Sequence, residues 1–179
     1  MDKINSTLSI EQRELLDLHL RYVIEENKTT NLTRITDWET AKILHVEDSL
    51  VGVPFIEKAP QGDYLDMGTG AGFPGIPIAI TTERKTLLAD SVGKKITALN
   101  RMITKLSLEG IVSTFQGRIE DLAKDQPENF SVITARALSS LSSLLELASP
   151  LLKMNGHLIC YKSQDIDDEL MHAKTVCNK

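Results

Sequence analysis

The stretch Asp63-Tyr-Leu-Asp-Met-Gly-Thr-Gly-Ala-Gly-Phe-Pro-Gly-Ile-Pro77 joins a short strand, a glycine loop and a helix start. Tyr64, Leu65 and Met67 suit a buried strand. Gly68, Gly70 and Gly72 then let the backbone turn tightly and approach a ligand with no Cβ atoms in the way. Pro74 and Pro77 suit a first helical turn, where the missing N–H costs little. The loop should therefore open a helix over 73–80, with free amide donors pointing back at it. Strand, glycines and helix in this order form a nucleotide-binding crossover, although a glycine cluster alone can be a bare loop. The spacing restricts the ligand. Phe73 stands where a dinucleotide fingerprint places its third glycine, and the Gly-Lys-Ser/Thr ending of a phosphate-binding P-loop is absent.

Downstream, strand-like and helix-like segments alternate: a strand over 86–89 closing on Asp90, a helix over 92–108, a strand over 112–115 and a short helix over 119–123. A strand over 130–134, a helix marked by Leu138, Leu141, Leu144, Leu145 and Ala148, a strand over 157–161 and a polar helix over 165–179 complete the series. Such alternation predicts an α/β fold, a doubly wound, mainly parallel, Rossmann-like sheet with ligands at the carboxyl ends of its strands. Upstream, Ser9-Ile-Glu-Gln12 reads as a capping box for a helix through Leu16, Leu20, Val23 and Ile24 that ends at Asn27. Thr36-Asp-Trp-Glu39 repeats the pattern before a second helix, through Ile43, Leu44 and Leu50, that stops before Pro54. The expectation is one domain over 1–179, with a helical N-terminal extension at 1–60 and a Rossmann-like core at 61–179.

The 179 residues suffice for a substantial core, and apolar and charged fractions are ordinary for a soluble globular protein. No apolar run approaches a membrane helix and Met1-Asp-Lys-Ile-Asn5 lacks the apolar core of a signal peptide, so no membrane partner and a cytoplasmic location are expected. Cys160 and Cys177 lie in no metal or redox spacing and read as reduced thiols, with no metal site. A net charge of −5 argues against a surface coated for general nucleic-acid binding but leaves room for one basic face.

Asp90, at the end of the second strand, can accept both ribose hydroxyls of an adenosine, or cap the helix that follows. Asp66 can face an ammonium group or bond the loop amides from beneath. A Gly-x-Gly-x-Gly loop with a strand-two acid suits a ligand with adenosine but no diphosphate, and S-adenosylmethionine is such a ligand. Its base would lie near Arg118-Ile119-Glu120, after the third strand. On the helix over 92–108, Ile96, Leu99, Ile103 and Leu106 should bury, while Lys94, Arg101 and Lys105 share the opposite face and are candidates for RNA contact. Arg136, after the fourth strand, is always charged and cannot serve as a general base; it is assigned to positioning cofactor or substrate, against the alternative of an ion pair with a helix carboxylate. His45 can pack between helices or approach the site.

The chain resembles the glucose-inhibited division protein B family, bacterial small-subunit ribosomal RNA guanine methyltransferases. The matching pieces are Asn31-Leu-Thr33, His45-x-x-Asp48-Ser49, Asp66-Met-Gly-Thr-Gly-Ala-Gly-Phe-Pro-Gly-Ile-Pro77, Asp90-Ser-Val-Gly-Lys-Lys95, Gly117-Arg-Ile-Glu120, Thr134-Ala-Arg-Ala137 and Pro150-Leu-Leu-Lys153, in the family's order. The resemblance implies a class I S-adenosylmethionine-dependent methyltransferase fold acting on 16S ribosomal RNA or the small ribosomal subunit; a monomer is expected. It implies the ring nitrogen at position seven of a guanine as acceptor, and carries cofactor contacts onto Gly68, Phe73, Ile119, Glu120 and Arg136. Asp66, Gly70 and Asp90 join them from the reading of the residues. That nitrogen has a lone pair and no proton, so no catalytic base is named. The chain departs from the family at Lys162-Ser163, where Lys-Gly is usual, and lacks the family's further pair of C-terminal strands, which would leave the last strand as an open edge. A non-catalytic binding remnant and a nicotinamide-dinucleotide oxidoreductase are the alternative readings.

Overall fold

The structure, a computed structural model, describes residues 8–162 and 166–177, the side chains of 175–177 excepted. Ser163 and the Cys177 thiol therefore lie outside the described residues and side chains. Helix α1 (Ile10–Thr30) opens on the capping box read from the sequence: Ser9 Oγ accepts the Gln12 amide at 3.1 Å and Gln12 Oε1 accepts the Ser9 amide at 3.0 Å. It runs past Asn27, ending at Asn31 in the left-handed conformation, while Asn27 Oδ1 accepts the amides of Leu32 and Thr33. The side chain, not the backbone, marks Asn27 as special.

The next cap is Asp37 rather than Thr36, its carboxylate accepting the Thr40 amide at 2.9 Å. Helix α2 (Trp38–Ala41) then widens into a π-helix over Lys42–Glu47 before α3 (Asp48–Leu50) and α4 (Val53–Ile56). Pro54 does not stop this run. It sits in the first turn of α4, where no N–H is required.

The core follows as β1 (Asp63–Met67), α5 (Gly75–Thr82), β2 (Thr86–Asp90), α6 (Gly93–Lys105), β3 (Val112–Gln116), α7 (Ile119–Asp125), β4 (Phe130–Arg136), α8 (Leu141–Ala148), β5 (Leu152–Tyr161) and α9 (Asp167–Cys177). The five strands are parallel in the order β3-β2-β1-β4-β5. This is the doubly wound α/β sheet expected from the alternation, and the order reverses between β1 and β4, where such sheets open a crevice at their carboxyl ends. Among the described residues β3 and β5 are the two edges.

Side-chain alternation divides the core. Tyr64, Leu88, Val112 and Val132 pack with α1, α5 and α6 on one face; Leu65, Met67, Ala89, Ile133 and Ala135 pack with Leu122, Leu144 and Ala148 on the other. At the opposite end of the sheet from the crevice, Arg84 donates to the carbonyls of Ile56, Ala59, Pro60 and Gly62 and to Ser131 Oγ, which fastens the entry to β1. Gln12 ties α1 to α5 by donating to the carbonyls of Ile80 and Thr81.

Candidate functional site

The glycine loop is held almost wholly by its own amides. Gly68 and Thr69 donate to the Ala89 carbonyl, Gly72 and Phe73 to the Thr69 carbonyl, Gly70 to Asp90 Oδ2 at 3.1 Å, and Gly75 to Asp66 Oδ2 at 2.9 Å. The expectation of free donors facing a ligand is corrected here: these N–H groups already have acceptors within the protein. A diphosphate would need them, so the geometry speaks against the dinucleotide alternative. Helix α5 begins at Gly75 with Pro74 as its cap, and the Phe73–Pro74 peptide is cis.

Asp66 does not reach a ligand. It is 0 % exposed, with Oδ1 accepting from Thr134 Oγ1 at 2.7 Å and Oδ2 from Gly75, so of its two possible roles the geometry realises the brace beneath the loop. Burial raises its pKa to about 6.

Asp90 lies at the rim. Its Oδ1 accepts the Val92 amide at 2.8 Å, its Oδ2 the Gly70 amide, and Lys95 Nζ stands 3.6 Å away. Each oxygen keeps lone-pair capacity for a further donor. With Gly68, Gly117, Arg118, Ile119, Glu120 and Leu138, Asp90 lines a cavity of about 290 Å³ at the ends of β1, β2 and β4. Gly68, at φ +69°, holds a conformation costly for any residue with a Cβ, and a Cβ would stand 2.7 Å from Leu138 Cδ1, so the leucine would have to shift.

A second cavity of about 640 Å³ opens beside it at the ends of β4 and β5, lined by Asp48, Val51, Gly52, Phe55, Arg136 and Tyr161 among others. Ala137 lines both cavities. Its φ of +51° is costly for a residue with a Cβ, about 1–2 kcal/mol, and turns the chain sharply out of β4. In consequence Arg136 lines the larger cavity and Leu138 the smaller.

Phe73 lines neither cavity. Its ring is buried behind the loop between His19 (centroids 4.5 Å apart) and His45 (4.9 Å, stacked), with the Arg136 guanidinium 5.7 Å from its centroid. His19 Nε2 meets the Ala71 carbonyl at 3.2 Å, and burial lowers its pKa to about 3, so it is neutral. Burial and the Arg136 charge also lower the His45 pKa. Thr33 Oγ1 fixes His45 Nε2 at 2.8 Å, and Arg136 Nη1 reaches Asp48 Oδ2 at 3.0 Å and the Leu44 carbonyl at 3.1 Å. The π-helix accounts for the last contact: the Asp48 amide donates to Ile43 and His45 and bypasses Leu44, whose carbonyl is left for the arginine. Both readings of Arg136 therefore meet in one place, since the ion pair with a helix carboxylate is itself part of a cavity wall.

Of the basic trio on α6, Arg101 is engaged by both oxygens of Glu26 on α1, and Lys105 lies 4.8 Å over the Tyr22 ring. Lys94 is exposed and has no ion pair among the described residues. Arg118 and Glu120 pair at 3.1 Å on the surface. Sequence reasoning missed Lys95, Gly52, Phe55, Ala137 and Tyr161; for Gly52 and Tyr161 no local pattern could have announced them, because they meet only through the fold.

Comparison with known proteins agrees with this architecture. Residues 12–179 match the family GidB, described as rRNA small subunit methyltransferase G. The ribosomal RNA small subunit methyltransferase G of Streptococcus agalactiae serotype V is 38% identical over 173 residues, covering 94% of this chain and 72% of that protein. Its counterpart from Lachnoclostridium phytofermentans is 39% identical over 170 residues, covering 93% and 70%. Among solved structures, a precorrin-6y C5,15-methyltransferase from Geobacter metallireducens superposes with a TM-score of 0.54 at 14% identity over 80% of this chain and 72% of its own, a likeness of fold alone. With its sheet order, its glycine loop and this match along nearly its whole length, the chain belongs to the GidB family of rRNA small subunit methyltransferases G.

Proposed function

We propose that this chain transfers a methyl group from S-adenosylmethionine to the ring nitrogen at position seven of a guanine in 16S ribosomal RNA. The observation that carries the reading is adjacency: a cavity lined by Gly68, Asp90, Ile119 and Glu120 shares the Ala137 wall with a larger cavity open to solvent at the ends of β4 and β5. The residues fit the donor. The missing Cβ of Gly68 leaves room against Leu138, the Asp90 carboxylate offers acceptors to ribose hydroxyls, and a loop whose amides are already bonded suits a ligand with no diphosphate.

When bound, S-adenosylmethionine supplies a methyl group activated by a sulfonium. Gly68, Asp90, Ile119 and Glu120 hold the donor side; Gly70 and Asp66 act at one remove by shaping the loop, and Phe73 by supporting it from behind. Arg136, fixed by Asp48 and Leu44, orients the groups that meet beside Ala137. Because the acceptor nitrogen carries a lone pair and no proton, these residues need only align it, and no general base is required. The target guanine is unstacked to enter the larger cavity. Lys94, exposed on α6 and without an ion pair among the described residues, is the strongest of the basic trio for a phosphate contact.

The test is transfer of labelled methyl from S-adenosylmethionine to small-subunit particles that lack the modification, with the product nucleoside identified by mass spectrometry. Transfer yielding 7-methylguanosine is the expected result. No transfer, with S-adenosylhomocysteine bound normally, would leave a binding module and overturn the reading.

A further inference from the structure

The larger cavity has a polar inventory that fits one kind of base. Its walls carry two carboxylates. Glu169 is paired with Lys162 at 2.7 Å, whereas Asp48 gives only Oδ2 to Arg136 and leaves Oδ1 without a partner among the described residues. A carboxylate clamped on one oxygen by an arginine is fixed in orientation and still accepts at the other.

The same helical run supplies an apolar surface beside it. Asp48, Val51 and Phe55 fall at helical spacing on one face, and all three line the cavity. Val51 is 46 % and Phe55 57 % exposed, so an apolar surface stands next to an acceptor, with Lys58 Nζ 5.9 Å from the Phe55 ring centroid. Gly52 leaves room for the Tyr161 hydroxyl, with which a Cβ there would collide and which donates to the Ser49 carbonyl at 2.6 Å.

We infer that this cavity is a guanine-reading subsite, with Asp48 accepting from the donor groups of the Watson–Crick edge and Phe55 stacking on the base. The inference rests on the methyl-transfer reading above and deepens it. Guanine presents N1–H and the exocyclic 2-amino group on that edge, both donors, on the side of the ring system away from the nitrogen at position seven. Adenine presents a lone pair at N1, which a carboxylate repels. An unstacked base is read by such edge contacts and by stacking on an aromatic ring, so Asp48 confers the choice of base and Phe55 confers affinity that any base would share.

The experiment compares the wild-type protein with Asp48→Ala and Phe55→Leu on small-subunit particles carrying either guanine or inosine at the position the wild-type protein methylates. Inosine lacks only the 2-amino group. The wild-type kcat/KM should favour guanine by about tenfold or more, the worth of a hydrogen bond to a charged group. Asp48→Ala should bring the ratio near one; Phe55→Leu should lower both rates by about tenfold and leave the ratio intact. A purely structural role for Asp48 would lower both rates equally and preserve the ratio, which would overturn the inference. If Asp48→Ala does not fold, Asp48→Asn, nearly isosteric, carries the comparison: an unchanged ratio sinks the idea and a fall of several-fold supports it. Should the wild-type protein methylate no RNA at all, the methyl-transfer reading falls first; should it methylate guanine while the Asp48 variant discriminates normally, only the role of Asp48 falls.

Discussion

The carboxylate of Asp90 receives the amide of Gly70 at 3.1 Å, so the acid at the end of β2 shapes the loop at the end of β1. Asp90 is thus both a wall of the smaller cavity and a strut of the glycine loop. Replacing it with alanine removes acceptors for Gly70 and Val92 as well as any ribose contact. Hydrogen bonds to a charged group contribute about 1.5–3 kcal/mol each. Asp90→Ala is expected to weaken S-adenosylhomocysteine binding by more than tenfold in calorimetry; an affinity within twofold of wild type would remove Asp90 from the donor site.

Gly52 and Tyr161 meet across the mouth of the larger cavity. Gly52→Ala forces the tyrosine off the Ser49 carbonyl, and overpacking of this kind costs about 1–3 kcal/mol. Methyl transfer to RNA is expected to fall at least tenfold, with S-adenosylhomocysteine affinity changed less than threefold. Adding Tyr161→Phe removes the hydroxyl that clashes, so the double variant should melt above Gly52→Ala alone. Additive losses in thermal melts would show that the two residues do not interact.

His19 makes stability sensitive to acid. In the folded protein its pKa lies at about 3, while the unfolded chain takes up a proton near 6.5. Between those values the unfolded state binds more protons, so the His19 contribution is whole above about pH 6.5 and declines as pH falls toward 3. At pH 5 the loss is about 2 kcal/mol. Asp66 acts with the opposite sign, since its folded pKa of about 6 is above the ordinary 3.8 and its effect lowers stability as pH rises between them. Comparing urea denaturation of wild type and His19→Gln from pH 7 to pH 5 isolates the histidine, because the variant should lose about 2 kcal/mol less. Parallel curves would show that His19 titrates normally.

Lys94 and Arg101 should separate by assay. Lys94→Gln is expected to weaken RNA binding and reduce the magnitude of the slope of log K against log salt by about one, as loss of one phosphate contact requires. Arg101→Gln breaks the pair with the largely buried Glu26 and should leave that slope unchanged. Equal changes in the two slopes would return Arg101 to the RNA face.

The inner strands were legible because burial on both faces leaves short apolar runs bounded by turns: Asp63–Met67 and Thr86–Asp90 stand within a residue of their sequence reading, whereas β5 begins at Leu152 rather than His157, because exposed Lys153, Met154 and Asn155 interrupt its apolar run. The helix caps were legible where side chain and position agree, as at Ser9, and misplaced by one at Thr36, where Asp37 offers the stronger acceptor. The π-helix left no mark in the sequence, and the contacts it accompanies, Leu44 with Arg136 and His45 with Phe73, join residues far apart along the chain. Ala137 gave no sign either, being neither glycine nor asparagine at a positive φ. The larger cavity was hidden for a related reason: Asp48 and Phe55 share one helical run, but Tyr161 comes from the far end of β5 and joins their wall only once β5 has paired with β4.

The internally bonded glycine loop also bears on the thermodynamics of binding. A loop whose amides already have acceptors has lost its conformational freedom before any ligand arrives, so that entropy was surrendered in folding and is not lost again on association. Affinity at this loop then depends on fit alone, and substitutions that loosen the loop weaken binding entropically even when every ligand contact survives.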